Sequence, residues 1–213
     1  TGLPTGAGSR IEGLHLTRGG YAGSGSQVPL LHITSQNPVD VDGLTVRDGF
    51  ANGLFIDPSQ RPPRALHLSN LSVNTTFGYG IRIDRACYHG CQITNITATR
   101  CLYNGLIMWD MAGHSTPVAS SLVTHADMAS NGRERFYEPG TSARDDSAQA
   151  NVRIQRYLSS TYGIVLTDFR FTGAGGHGLW VDESRVWASG GYFSDNGDAG
   201  SECDAAFVDF RDF

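Results

Sequence analysis

The chain has 213 residues, 39% of them hydrophobic and 27 of them glycine, and carries a formal net charge of −5. That suits one elongated core with no composition shift where a linker would fall, so residues 1–213 read as a single domain. The 16 basic residues are all arginine and are scattered, which argues against nucleic acid as a partner, and no apolar run approaches about 18 residues, which argues against a helical membrane span.

In chain order, the first apolar alternation is Leu31-His32-Ile33. Then Asp42-Gly43-Leu44-Thr45-Val46 leads into Gly53-Leu54-Phe55-Ile56-Asp57. The same two-part phrase returns as Asn70-Leu71-Ser72-Val73 with Gly80-Ile81-Arg82-Ile83-Asp84, and as Asn95-Ile96-Thr97-Ala98 with Gly105-Leu106-Ile107-Met108-Trp109-Asp110. A break follows: Asn131 to Pro139 and the polar stretch to Ala150 interrupt the alternation, which resumes through Val152, Ile154 and Tyr157. The phrase comes back as Asp168-Phe169-Arg170-Phe171 with Gly178-Leu179-Trp180-Val181-Asp182, and in degenerate form as Ala205-Ala206-Phe207-Val208-Asp209.

The closing aspartates are 27, 26, 72 and 27 residues apart, and a period in the twenties marks a solenoid whose units bury apolar residues by stacking on neighbours. Alternation over four to six positions means half-buried strands, and no window shows helical spacing for three turns. Each unit therefore reads as strand, glycine turn and strand. The 72-residue step holds an irregular unit and room for one more, with an excursion at about 133–157.

These repeats resemble the right-handed, single-stranded parallel β-helix of the pectin-lyase-like group, to which phage tailspikes and many polysaccharide lyases, hydrolases and epimerases belong. The resemblance covers about Ile11 to Asp209 and implies an all-β right-handed parallel β-helix of about seven coils. It also implies a homotrimer, on a virion surface or outside a cell. Gly176-His177-Gly178 looks like one motif of polygalacturonase-type hydrolases, but their Asn-Thr-Asp and Arg-Ile-Lys partners are absent, so His177 reads as a turn residue. The chain begins without Met, which reads as a mature or trimmed piece of a larger parent.

Four cysteines do not build a disulfide framework at this length; Cys87 and Cys91 flank a turn and suit either a bridge or reduced, buried positions. No zinc-like spacing of Cys and His occurs, and no metal or cofactor is expected. Asn70, Asn74 and Asn95 head Asn-x-Ser/Thr matches. Asn70 and Asn95 fall on the repeated polar position, where an amide caps a turn or bonds along a ladder.

Alternation leaves Phe55, Arg82, Trp109, Trp180 and Phe207 pointing outward, beside a line of aspartates that includes Asp84. Aromatic faces with carboxylates and arginine suit sugar rings, and a row of exposed aromatics also suits a subunit contact. The break supplies acid/base candidates: Glu134 or Glu138 with Asp110, and Asp84 in reserve. The reading is a module that binds, and with such a pair cleaves, a surface polysaccharide. Its alternative is a non-catalytic structural or decoration subunit contacting a neighbouring virion or assembly subunit. For the aspartates themselves, a turn-ending role competes with a catalytic one.

Overall fold

A computed structural model of the chain describes residues 8–19, 21–22, 26–58, 63, 65–109, 117–132, 149–157, 159–204 and 206–211. The architecture is all-β, with no α-helix among these residues. Strands pair in parallel in two long sheets, one of seven strands and one of eleven; a small antiparallel pair, Tyr21–Ala22 with Ser26–Gln27, stands apart. The seven-stranded sheet runs in chain order through Leu31–Ile33, Leu54–Ile56, Ile81–Asp84, Leu106–Trp109, Val152–Gln155, Leu179–Asp182 and Ser201–Asp204. The main path of the eleven-stranded sheet is also in chain order and includes Leu66–Thr76, Cys91–Cys101, Ser121–Ala129 and Ile164–Thr172. Successive repeats thus add one layer to each sheet, an arrangement compatible with a parallel β-helix.

The inward residues stack in register, as the alternation requires. Leu31, Leu54, Ile81, Leu106, Val152 and Leu179 form one column, and Ile33, Ile56, Ile83, Met108, Ile154 and Val181 the next. Both join inward residues of the other sheet, among them Leu68, Ile93 and Leu166, in a single apolar core. Burying each such aliphatic side chain is worth about 1.5–3 kcal/mol, so the columns are the main cohesive force.

The long strands are bent, not straight. Along Leu66–Thr76 the alternation slips at Asn70: Leu68 and Leu71 both face in, with Ser69 and Asn70 between them turned outward. Asn70 has φ 54°, and its counterparts Asn95, His125 and Asp168 are left-handed too, with Gly43 and Gly190 in the same column. Asn and Asp tolerate this region better than other non-glycine residues, which explains the repeated polar position. The amides also bond along the stack: Asn95 Nδ2 donates to Asn70 Oδ1 at 2.6 Å, and Asn70 Nδ2 to Asp42 Oδ1 at 2.7 Å. Asn74 Nδ2 donates to Thr99 Oγ1 at 2.9 Å. A second left-handed column, with Thr75, Arg100, Ser130 and Gly173, turns the chain again at the strand ends.

The repeated glycines act by size. Gly53 and Gly80 have no positive φ, but a Cβ at Gly80 would lie 2.6 Å from the Gly105 carbonyl oxygen and 2.8 Å from Cys101 Sγ. Beside them a polar chain threads the interior. The Cys101 amide donates to Asn131 Oδ1 at 2.9 Å, and Asn131 Nδ2 donates to Ala98 O and Asn151 Oδ1, both at 2.9 Å.

Cys87 and Cys91 are disulfide-bonded, closing the turn, while Cys101 is a buried thiol whose pKa burial pushes up to about 12. The step across the break contains one strand of the seven-stranded sheet, Val152–Gln155, which pairs with Leu106–Trp109 before it and Leu179–Asp182 after it. Of the excursion expected at about 133–157, residues 133–148 lie outside the described residues, and 152–155 is regular strand.

Candidate functional site

Pairing sets which outward residues are neighbours. On the seven-stranded sheet one outward column is His32, Phe55, Arg82, Ile107, Arg153, Trp180 and Glu202. Two residues along the strands a second column holds Asp84, Trp109, Gln155, Asp182 and Asp204. Together they form a ridge of aromatic and charged groups about 29 Å long, given a strand spacing of about 4.8 Å.

The middle of the ridge is closed by its own contacts. The Arg82 guanidinium is 5.1 Å from the Phe55 ring centroid, 5.4 Å from Tyr79 and 5.3 Å from Trp109. It also grips Asp84: Nε donates to both carboxylate oxygens at 3.0 Å and Nη2 to Oδ2 at 2.7 Å. Burial raises the Asp84 carboxyl above the usual range against the pull of Arg82. For Arg82, burial works against the charge, but the hydrogen bonds and field of Asp84 outweigh it and raise its pKa. Next to this pair Arg85 Nη2 donates to Asp57 at 2.6 and 2.8 Å, and His32 stacks on Phe55 with ring centroids 4.8 Å apart.

Several expectations are corrected here. Asp84 is not an exposed carboxylate: it is 3% exposed, because Arg82 folds back over it beneath three aromatic rings. Trp109, 36% exposed, stands in register with Asp84, not with Arg82 and Phe55. The stretch from Gly105 to Asp110 has one residue more than its counterparts, and pairing is set from the glycine side. Ile107 takes the place beside Arg82 and, though outward, is 4% exposed. Phe207 is not on this ridge at all. It lies on the eleven-stranded sheet, in register with Arg185, whose guanidinium is 4.9 Å from its ring centroid. The repeat that does follow Asp182 here is Gly200-Ser201-Glu202-Cys203-Asp204, which keeps the glycine-to-aspartate separation of Gly178 and Asp182 but comes after a shorter step and carries polar Ser201 and Glu202, which hid the phrase. Asp110, Glu134 and Glu138 lie outside the described residues.

The far end of the ridge holds a group that sequence reasoning set aside. His177 is 5% exposed; its Nε2 is 2.9 Å from Glu202 Oε2, and its ring meets Trp180 edge-on with centroids 5.2 Å apart. Gly176-His177-Gly178 supplied the signal for it. Asp182 Oδ2 accepts a hydrogen bond from Gln155 Nε2 at 2.7 Å. This end is therefore an aromatic platform, half-buried at Trp180, among the carboxylates Asp182, Glu202 and Asp204. No group of three or more His, Cys, Asp or Glu among the described residues could hold a metal ion. No protein-family model, curated protein or solved structure matches the chain.

Proposed function

We propose that the chain is a right-handed parallel β-helix of about seven coils, of the pectin-lyase-like kind, whose ridge binds a surface polysaccharide in the manner of a tailspike. Two observations support the coil: each repeat contributes one strand to the seven-stranded sheet, and crossovers between parallel strands are right-handed in nearly all proteins. One observation carries the binding reading. Phe55, Trp109 and Trp180 stand on a single sheet face among carboxylates, at intervals of two strands, about 10 Å along the stack. Exposure on a virion or outside a cell fits the Cys87–Cys91 bridge, since disulfides persist in oxidising surroundings.

The binding function is tested on a glycan array, followed by calorimetry with the best ligand. Trp109→Ala and Trp180→Ala should each weaken binding at least tenfold with the fold intact by circular dichroism. Absence of binding to any glycan, or unchanged affinity in both variants, sinks the reading. Cleavage is an additional expectation tied to Asp110, Glu134 and Glu138, and loss of product formation in Glu134→Gln and Asp110→Asn is its measurement.

The second reading, a structural subunit in a homotrimer or larger assembly, is favoured by exposed Tyr192, Phe207 and Phe210 on the eleven-stranded sheet. Light scattering decides it: Phe207→Ser should dissociate an oligomer built through that face, and a monomeric wild-type chain removes the reading.

A further inference from the structure

We propose that the turn between the two sheets docks a segment of a partner protein that sets a large apolar side chain beside a carboxylate. A groove of about 410 Å³ opens there across three successive repeats, between Thr75, Phe77, Arg100, Leu102 and Ser130. Sites that hold small ligands span about 300–1,000 Å³, so a side chain has room to enter. None of these residues belongs to either outward column of the seven-stranded sheet, and the inference does not depend on the glycan reading.

The sequence at the second left-handed column builds the groove. Thr75, Arg100 and Ser130 occupy the turn itself in consecutive repeats. Two residues further on, Phe50, Phe77 and Leu102 share one position: Phe77 N donates to Gly49 O and Leu102 N to Thr76 O, both at 2.8 Å. The Phe50 and Phe77 rings stack with centroids 5.9 Å apart and stay 46% and 55% exposed. The next repeat carries Gly132 at that position, its amide donating to Cys101 O at 3.1 Å, and the row of apolar side chains stops there. Exposed aromatic rings beside a recess have the composition of an interface core.

Charge selects the occupant. Arg100 carries the single charge of the lining among the described residues, and its side chain makes no hydrogen bond or ion pair there. Arg47 and Asp48, two strands away, are adjacent in sequence and offset each other. Burial keeps the Cys101 thiol neutral, its pKa pushed up to about 12. On a chain of net charge −5 the groove is a local positive spot, and arginine beside aromatic rings is the usual make-up of an interface hot spot. A sugar suits it less well. Thr76 Oγ1 already donates to Gly78 O at 3.2 Å and Thr75 Oγ1 to Asn74 Oδ1 at 2.7 Å, so few groups remain to replace the water its hydroxyls would lose.

The test is to pan a random peptide library displayed on phage against the immobilised full chain, with counter-selection on the Phe77→Ser, Arg100→Gln double variant. Enriched peptides should share an acidic residue next to a large apolar one. The best of them, labelled and followed by fluorescence polarisation in low salt, should lose about tenfold in affinity with either single substitution. The same peptide with its acidic residue changed to the amide should bind wild type about tenfold more weakly and Arg100→Gln no more weakly than the acidic peptide does. Both substitutions fall on exposed side chains, and circular dichroism should match wild type. No enrichment over the double variant, a consensus without an acidic residue, or an affinity that ignores either substitution overturns the inference. So does any glycan whose binding falls with Phe77→Ser or Arg100→Gln, which would make the groove a sugar site.

Discussion

At the scale of single residues, two chemistries repeat along the chain for different reasons. Glycine stands before five of the seven strands of the seven-stranded sheet (Gly53, Gly80, Gly105, Gly178 and Gly200), where neighbouring repeats come too close for a side chain. Gly80→Ala places a methyl 2.6 Å from a carbonyl oxygen of the next repeat, and we expect a loss of about 2 kcal/mol in urea unfolding. Asn and Asp recur where the backbone turns left-handed or where an acceptor is needed next to that turn. Asp42 accepts from Ser69 Oγ and Asn70 Nδ2, both at 2.7 Å, and these bonds hold its carboxyl below the usual range. A carboxyl depressed in the folded state adds stability above its unfolded pKa and loses it as the pH falls through the folded one. Wild type should therefore exceed Asp42→Asn in stability at pH 6, and the gap should narrow as the pH falls below about 4, as read from melting temperatures across a pH series.

At the scale of elements, the long strands hold together two faces with a corner between them. The corner needs the left-handed column and its amide ladder, and the following turn needs the buried asparagines. Asn131→Leu would leave the Cys101 amide without its acceptor and remove one of two donors to Asn151 Oδ1 inside the core, a loss of about 2–3 kcal/mol by denaturant titration. The Cys87–Cys91 bridge closes a short loop, so its entropic effect is modest. Replacing both cysteines by serine should cost about 2 kcal/mol and leave the strand content measured by circular dichroism unchanged.

At the scale of the whole molecule, stability comes from each repeat meeting the next. Met108 is fully buried between Ile83 and Ile154 in the middle of its column. Met108→Ala opens a cavity there, and we expect a loss of about 2–5 kcal/mol. Because each strand pairs in parallel only with strands of the adjacent repeats, the same change should broaden the urea transition as the two halves begin to unfold separately. A truncation at an exposed outward residue such as Leu122 should do neither.

Local pattern alone determined the strand type, the repeat and the inward columns. Leu54, Ile81, Leu106 and Leu179 could be set over one another from spacing, because alternation and a recurring small residue are properties of short segments. The tertiary structure decided what those segments could not carry. One extra residue between Gly105 and Asp110 moved Trp109 into the line of Asp84, since register is set by hydrogen bonds between strands 25 residues apart at Ile81 and Leu106. The corner at Asn70 turned one expected strand into two faces, because a left-handed residue resets which side the next side chain takes. Whether an outward residue reaches solvent depends on its neighbours in space, which is why Asp84 is covered and why Phe207 belongs to another sheet. His177 and Glu202, 25 positions apart, met only when the last repeat folded onto the one before it.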